Sequence, residues 1–238
     1  MAAFSKPAAL TSQIKSFHLF QNVEAAWKKL WLKIECLVLF FMVPVALYWF
    51  RHMLAFKLAP VLLLSAFICL IYLFSDKTFD RSVLWKMPDL STHLQHILIT
   101  LMGISLFLGL FTYLLYENLF LVFPINRPNA ALIFVLLYPL LGALPQEIIF
   151  KSFFFHRYGD IFPGQVSLVV LNGLSFGLFH LWYANMIAPV FSIFAGMILG
   201  YRYLKTQSLL ITSIEHSIMG IFLYLIGLGW FFYSGSIQ

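Results

Sequence analysis

The chain is 238 residues long, 62% hydrophobic and only 10% charged, with 27 Phe. A soluble domain carries roughly 25% charged residues, so this composition excludes a water-soluble globular protein and indicates a polytopic membrane protein. The net charge of +6 is accounted for by membrane topology and calls for no nucleic-acid partner.

Residues 1–33 hold Lys6, Lys15, Lys28, Lys29 and Lys33 without an early apolar run, so nothing there reads as a cleavable signal. Within this arm, HLFQNVEAAWKKLWLK (18–33) is basic and amphipathic. Two readings stay open for it: a helix lying on an anionic membrane surface, or a solvated arm with a positive bias. A bilayer core of roughly 30 Å needs about 20 apolar residues per helical span. The stretches that qualify are 34–50, 58–74, 94–115, 130–155, 164–182, 187–204 and 209–231. The first two are short and suit a hairpin around Arg51, His52 and Lys57, while Pro139 and Pro145 are expected to kink the long fourth span. Cys36 and Cys69 lie in these apolar runs and suit packing, not a disulfide framework or a zinc cluster.

The fold class expected is therefore all-α: a helical membrane protein of about seven spans, with 34–238 forming one transmembrane domain behind the basic cytoplasmic arm 1–33. An eighth span stays open, because 18–33 could dip into the bilayer. With the N-terminus in the cytoplasm and seven spans, twelve of the 15 Lys and Arg fall on the inner side. Only Arg51, Lys57 and Arg127 fall outside, which agrees with the positive-inside rule. That expects a multi-pass protein of the cell membrane with its C-terminus outside.

Polar and ionisable groups inside a membrane are costly and usually face a bundle interior or a wet cavity. Here they are Gln146, Glu147 and Lys151 in the fourth span, His180 near the end of the fifth, and Glu215 with His216 in the seventh; Asn172 and Asn185 are secondary candidates. Glu147 and Lys151 stand four apart in the order that favours a local ion pair. Phe176 and His180 are also four apart, which places a ring under the imidazole. Glu215 and His216 are adjacent, so they point about 100° apart and should serve different neighbours. Gly220 shares the His216 face and leaves room beside the imidazole. Gly173 and Gly177 suit close helix packing. One carboxylate and two imidazoles from three spans fit a water-activating site, and the same trio fits a zinc ion, although no HExxH helix is present. On a straight-helix count His180 lies toward the outer end of its span, so convergence requires a later start or a tilt of that helix. The expectation is one cavity lined by all three side chains and open to the cytoplasmic half of the membrane.

The order and spacing of these residues resemble the CAAX protease and bacteriocin-processing family, also called Abi, of glutamic-type intramembrane endopeptidases. QEIIFK (146–151) is similar to its EExxxR motif, FGLFH (176–180) matches its FxxxH motif, and HSIMG (216–220) resembles its HxxxN motif. The resemblance covers about residues 130–230. It implies that Glu147, His180, His216 and the Gln146 position form the catalytic set, with Lys151, Phe176 and Gly220 in support. It also implies a membrane-associated peptide or protein as substrate. In the family the first glutamate activates water, and here Gln146 holds that place. An amide positions a water but takes no proton. Lys151 replaces the arginine and loses its planar fork. Gly220 replaces the asparagine that would help hold an oxyanion.

Two readings of function remain. The first is an intramembrane endopeptidase that hydrolyses a peptide bond through carboxylate- and histidine-activated water. It needs no cofactor; zinc is the unfavoured alternative. The second is a catalytically silent relative that binds a membrane segment or partner without cutting it. A proton-coupled carrier is a weaker third reading, opposed by the absence of repeats and paired broken helices.

Overall fold

A computed structural model describes residues 8–53, 58–87 and 90–232, with side chains described from residue 21 and, after the second break, from residue 93. Lys6, Lys15, Lys57 and the C-terminal end therefore lie outside the described residues or side chains. Among the described residues, six helices are long and apolar enough to cross a membrane: α1 (Gln21–Phe50), α2 (Leu58–Ser75), α3 (His93–Leu115), α4 (Pro128–Ile161), α5 (Gln165–Tyr183) and α6 (Ile187–Thr206). A shorter apolar helix, α7 (Leu209–Leu225), completes the seven apolar elements read from the sequence. No strand occurs among the described residues.

Two boundaries differ from expectation. The helix containing α1 starts at Ala8 and runs without a break into Leu37, so the amphipathic stretch 18–33 is continuous with the first span. No Gly or Pro interrupts residues 21–43, so nothing in that run stops a helix. The fourth span is longer than the apolar run 130–155, reaching Ile161.

In α4 the prolines open the helix rather than end it. Pro139 begins a π-helical stretch, Pro139–Ala143, and a second, Ile148–Phe153, comes one turn later. Proline has no N–H for the ordinary ladder, and a wider turn absorbs the missing bond. Each π turn inserts a residue and re-aims the side chains beyond it, a device common at functional sites. Gln146 and Glu147 lie in the single α-helical turn between the two, Leu144–Glu147.

Burial of charge welds the bundle. Arg202 on α6 donates to Glu215 on α7 at 2.8 and 3.2 Å, and to Thr100 on α3 at 3.3 Å. Both ion partners are buried. Arg202 is thus an interior residue of α6, and so is Lys151 of α4; neither is the loop cation assumed in the charge count. Glu215 turns away from His216, which serves a different neighbour. At the other flank Arg157 of α4 holds Glu35 of α1 at 2.9 and 2.7 Å and Tyr72 of α2 at 2.8 Å. Phe40, Phe150, Phe154 and Phe176 pack edge to face between these helices, geometry that adds to simple burial. Outward-facing residues such as Trp49, Met102 and Leu114 are exposed, which suits a lipid boundary.

The α5–α6 hairpin depends on small residues. A Cβ on Gly177 would lie 2.8 Å from the Pro189 carbonyl oxygen, and one on Gly173 2.8 Å from that of Ile193. These are backbone obstacles that cannot swing aside, so the helices approach as closely as glycine allows.

The loop after α2 is fixed by Asp76. Its carboxylate accepts from the Thr78 hydroxyl at 2.7 Å, the Thr78 amide at 2.8 Å and His156 at 3.1 Å. The Thr78 hydroxyl first, then its amide and His156, hold this carboxyl below the usual carboxylate range.

Gly177→Val should lower the thermal midpoint in detergent, at a cost of about 1–3 kcal/mol for overpacking. Glu215→Leu should cost about 3–5 kcal/mol, because Arg202 is left buried and unpaired; Arg202→Met combined with Glu215→Leu should recover most of that loss in the same melt. A depressed carboxylate pKa stabilises the fold above the unfolded value of about 3.9 and loses that effect as pH falls. Asp76→Asn should therefore melt earlier than wild type at pH 7, with the gap closing below about pH 4.

Candidate active site

The site is assembled where α4, α5 and α7 meet. Glu147 lies fourteen residues before the end of α4 at Ile161, and His180 fifteen after the start of α5 at Gln165. The two helices are antiparallel neighbours in sequence, so these positions fall at one level. The extension of α4 to Ile161 contributes to this levelling, and α5 itself starts at Gln165, one residue later than the apolar run 164–182.

His216 Nδ1 bonds Glu147 Oε1 at 2.9 Å, and its other nitrogen, Nε2, lies 3.2 Å from the Tyr138 hydroxyl. The carboxylate thus fixes the proton on Nδ1 and orients the ring. Glu147 Oε2 has no hydrogen-bond partner among the described residues. His180 Nδ1 bonds the Phe176 carbonyl at 2.8 Å. A carbonyl can only accept, so Nδ1 carries the proton and Nε2 keeps a free lone pair. The Phe176 ring supports both imidazoles, with centroids 4.8 Å from His180 and 5.7 Å from His216.

His180 and His216 line one cavity of about 420 Å³, together with Tyr138, Phe176 and Gly220. Its other walls are mainly apolar, including Ile104, Phe107, Phe191 and Leu223. Glu147 is not on this wall. It is completely enclosed and meets the cavity only through the His216 ring. The expectation that all three side chains line the cavity is corrected on this point. The reason is geometric: Glu147 takes the Nδ1 edge of the imidazole, which leaves the opposite edge to the cavity.

The Glu147–Lys151 ion pair expected from spacing is also replaced. The Lys151 ammonium donates to Asn172 Oδ1 at 2.9 Å, and the Asn172 amide in turn bonds the Phe150 carbonyl. Lys151 and Asn172 are fully buried. Glu147 is directed to α7 and Lys151 to α5, so two bonds tie three helices where one local pair would tie none. Asn185 caps α6, accepting from the Ala188 amide at 2.9 Å and donating to the Phe231 carbonyl at 2.7 Å. Gln146 is half-buried, and its Oε1 has no partner among the described residues. No cluster of three or more His, Cys, Asp or Glu able to hold a metal ion occurs among the described residues.

Tyr138 is the site residue that the sequence does not announce. A tyrosine in an apolar span raises no alarm, since its ring is lipophilic and its hydroxyl finds partners easily. The available signal was its position eight residues before Gln146, about two turns along the same helix, opposite a glycine in the third motif. The space left by Gly220 is filled by Tyr138: a Cβ at position 220 would collide with its hydroxyl and ring.

The family model described as type II CAAX prenyl endopeptidase, Rce1-like, matches residues 128–232. No curated protein and no solved structure matches the chain. The matched segment opens with the first residue of α4 and closes at Phe232, just beyond α7, so it takes in all three motifs and leaves out α1–α3. Residues 128–232 of this multi-pass helical membrane protein are thus similar to the Rce1-like type II CAAX prenyl endopeptidases.

Proposed function

We propose that the chain is an intramembrane endopeptidase that hydrolyses a peptide bond of a membrane-associated protein or peptide with an activated water. The observation that carries this reading is the convergence of His180 and His216 on one cavity, with Glu147 bonded behind His216 at 2.9 Å. His180 Nε2, its lone pair left free by the Phe176 carbonyl, accepts the proton of a water that attacks the scissile carbonyl. His216, bonded to Glu147 at Nδ1, faces the oxygen as it becomes negative and, when protonated, offers it a positive electrostatic environment. The proton on His180 then passes to the leaving amine, so the step ends with a new carboxylate and a new amine and the protein unchanged. No metal enters this scheme. The orientation proposed is the one from the sequence, with the N-terminus cytoplasmic and the C-terminus outside, in the cell membrane. The family description suggests prenylated C-terminal CAAX tails as the first substrates to try, and the apolar cavity wall suits a lipid-bearing or apolar peptide.

One observation favours the silent binder as a second reading. Gln146 stands where the family has its water-activating glutamate, and its buried Oε1 finds no partner among the described residues. The two readings separate in a cleavage assay with purified protein and quenched fluorescent peptides, prenylated and unmodified. On the peptidase reading, His180→Ala, His216→Ala and Glu147→Ala each lower turnover on the order of 10²–10⁴-fold, Gln146→Ala changes it little, and chelators leave it intact. Cleavage that appears only in Gln146→Glu would identify the silent relative instead.

A further inference from the structure

We infer that Tyr138 is a catalytic residue of this site, its hydroxyl donating to the oxyanion in place of the missing amide at position 220. This deepens the peptidase reading and rests on it. Tyr138 comes from α4, two turns before Gln146, and its hydroxyl reaches His216 Nε2 at 3.2 Å. It lines the cavity shared by His180 and His216. Its hydroxyl and ring fill the volume where a side chain at 220 would begin. Thus glycine at 220 and tyrosine at 138 form one steric unit.

The chemistry is set by donor and acceptor counts. A hydroxyl has one hydrogen to donate and two lone pairs. When His216 is charged, both ring nitrogens carry protons. Nδ1–H then donates to Glu147, and Nε2–H donates to the Tyr138 oxygen. The Tyr138 hydrogen is left free to point into the cavity. A negative oxygen forming there takes it, and the chain Glu147–His216–Tyr138 spreads the new charge back toward the carboxylate-bound imidazole. As the tetrahedral species collapses, the oxygen returns to a carbonyl and the hydroxyl keeps its proton, so the residue is unchanged over the cycle. The ring is held for this task by stacking: its centroid lies 4.9 Å from that of Phe134, whose own ring stacks on Tyr224 at 4.1 Å.

The test compares kcat and KM for wild type, Tyr138→Phe, Tyr138→Ala, Gly220→Asn and the Tyr138→Ala/Gly220→Asn double variant. The probes are a farnesylated peptide ending Cys-aliphatic-aliphatic-X and an unmodified apolar peptide, both internally quenched. Each variant is melted in detergent to check its fold. Loss of one oxyanion donor costs on the order of 10²–10³ in kcat. Tyr138→Phe should fall by that order with KM within about threefold and an unchanged melt, values set by the missing hydroxyl alone. Gly220→Asn alone should also lose activity, because its side chain meets the tyrosine. The double variant, with the obstructing ring removed and the amide restored, should regain at least about tenfold over Tyr138→Ala, a rescue that a purely structural role would not produce. A wild type that cuts while Tyr138→Phe cuts equally well overturns the role of Tyr138 and leaves the peptidase reading standing. A wild type that cuts neither probe overturns both.

Discussion

Every ionisable group enclosed in the bundle must find a partner, because an unpaired charge in an apolar interior is prohibitively costly. Here Glu147 joins α4 to α7 through His216, Lys151 joins α4 to α5 through Asn172, and Arg202 joins α6 to α7 and α3 through Glu215 and Thr100. These bonds hold the four helices of the family-matched segment in register. The site is a consequence of that register, since the same bond that satisfies Glu147 also aims His216.

The two π-helical stretches of α4 make this pairing attainable. They flank the short turn that carries Gln146 and Glu147, and they set which of the adjacent side chains faces α7. Glu147 is fully enclosed while its neighbour Gln146 stays half-buried. The glycines of α5 contribute by letting α5 and α6 close up behind Phe176, whose ring supports both histidines. Packing and chemistry therefore share residues, and Phe176 belongs to both.

Much of this was legible from the sequence for a physical reason. Glu147, His180 and His216 stand out because polar residues in apolar runs need a cause, and span positions are set by run length. What was not legible is partner choice. Spacing suggested Glu147 with Lys151, but a side chain in a crowded bundle is taken by whichever helix presents the better acceptor, and Asn172 on α5 takes the ammonium. Arg202 enters the charge count as an inner-side cation, whereas it lies inside α6, which continues to Thr206, and is bound by Glu215. Tyr138 gave no signal by itself. Only its collision with the space at Gly220 links the two positions, and that link exists only in three dimensions. Among the departures from the family pattern, Gln146, Lys151 and Gly220 are not equivalent. Lys151 has its own acceptor and Gly220 has a neighbour that fills it, while the Gln146 oxygen has no partner among the described residues.

The central claim is that water in this cavity, activated beside His180 and the Glu147-bound His216, hydrolyses a peptide bond. Its most direct test is cleavage of the farnesylated peptide in water enriched in oxygen-18, with mass analysis of the product and the intact protein. The account predicts one heavy oxygen in the newly formed carboxylate, no covalent adduct on the protein, and no labelled product from Glu147→Gln. A covalent acyl-protein species, or label incorporated at an undiminished rate by Glu147→Gln, would contradict it.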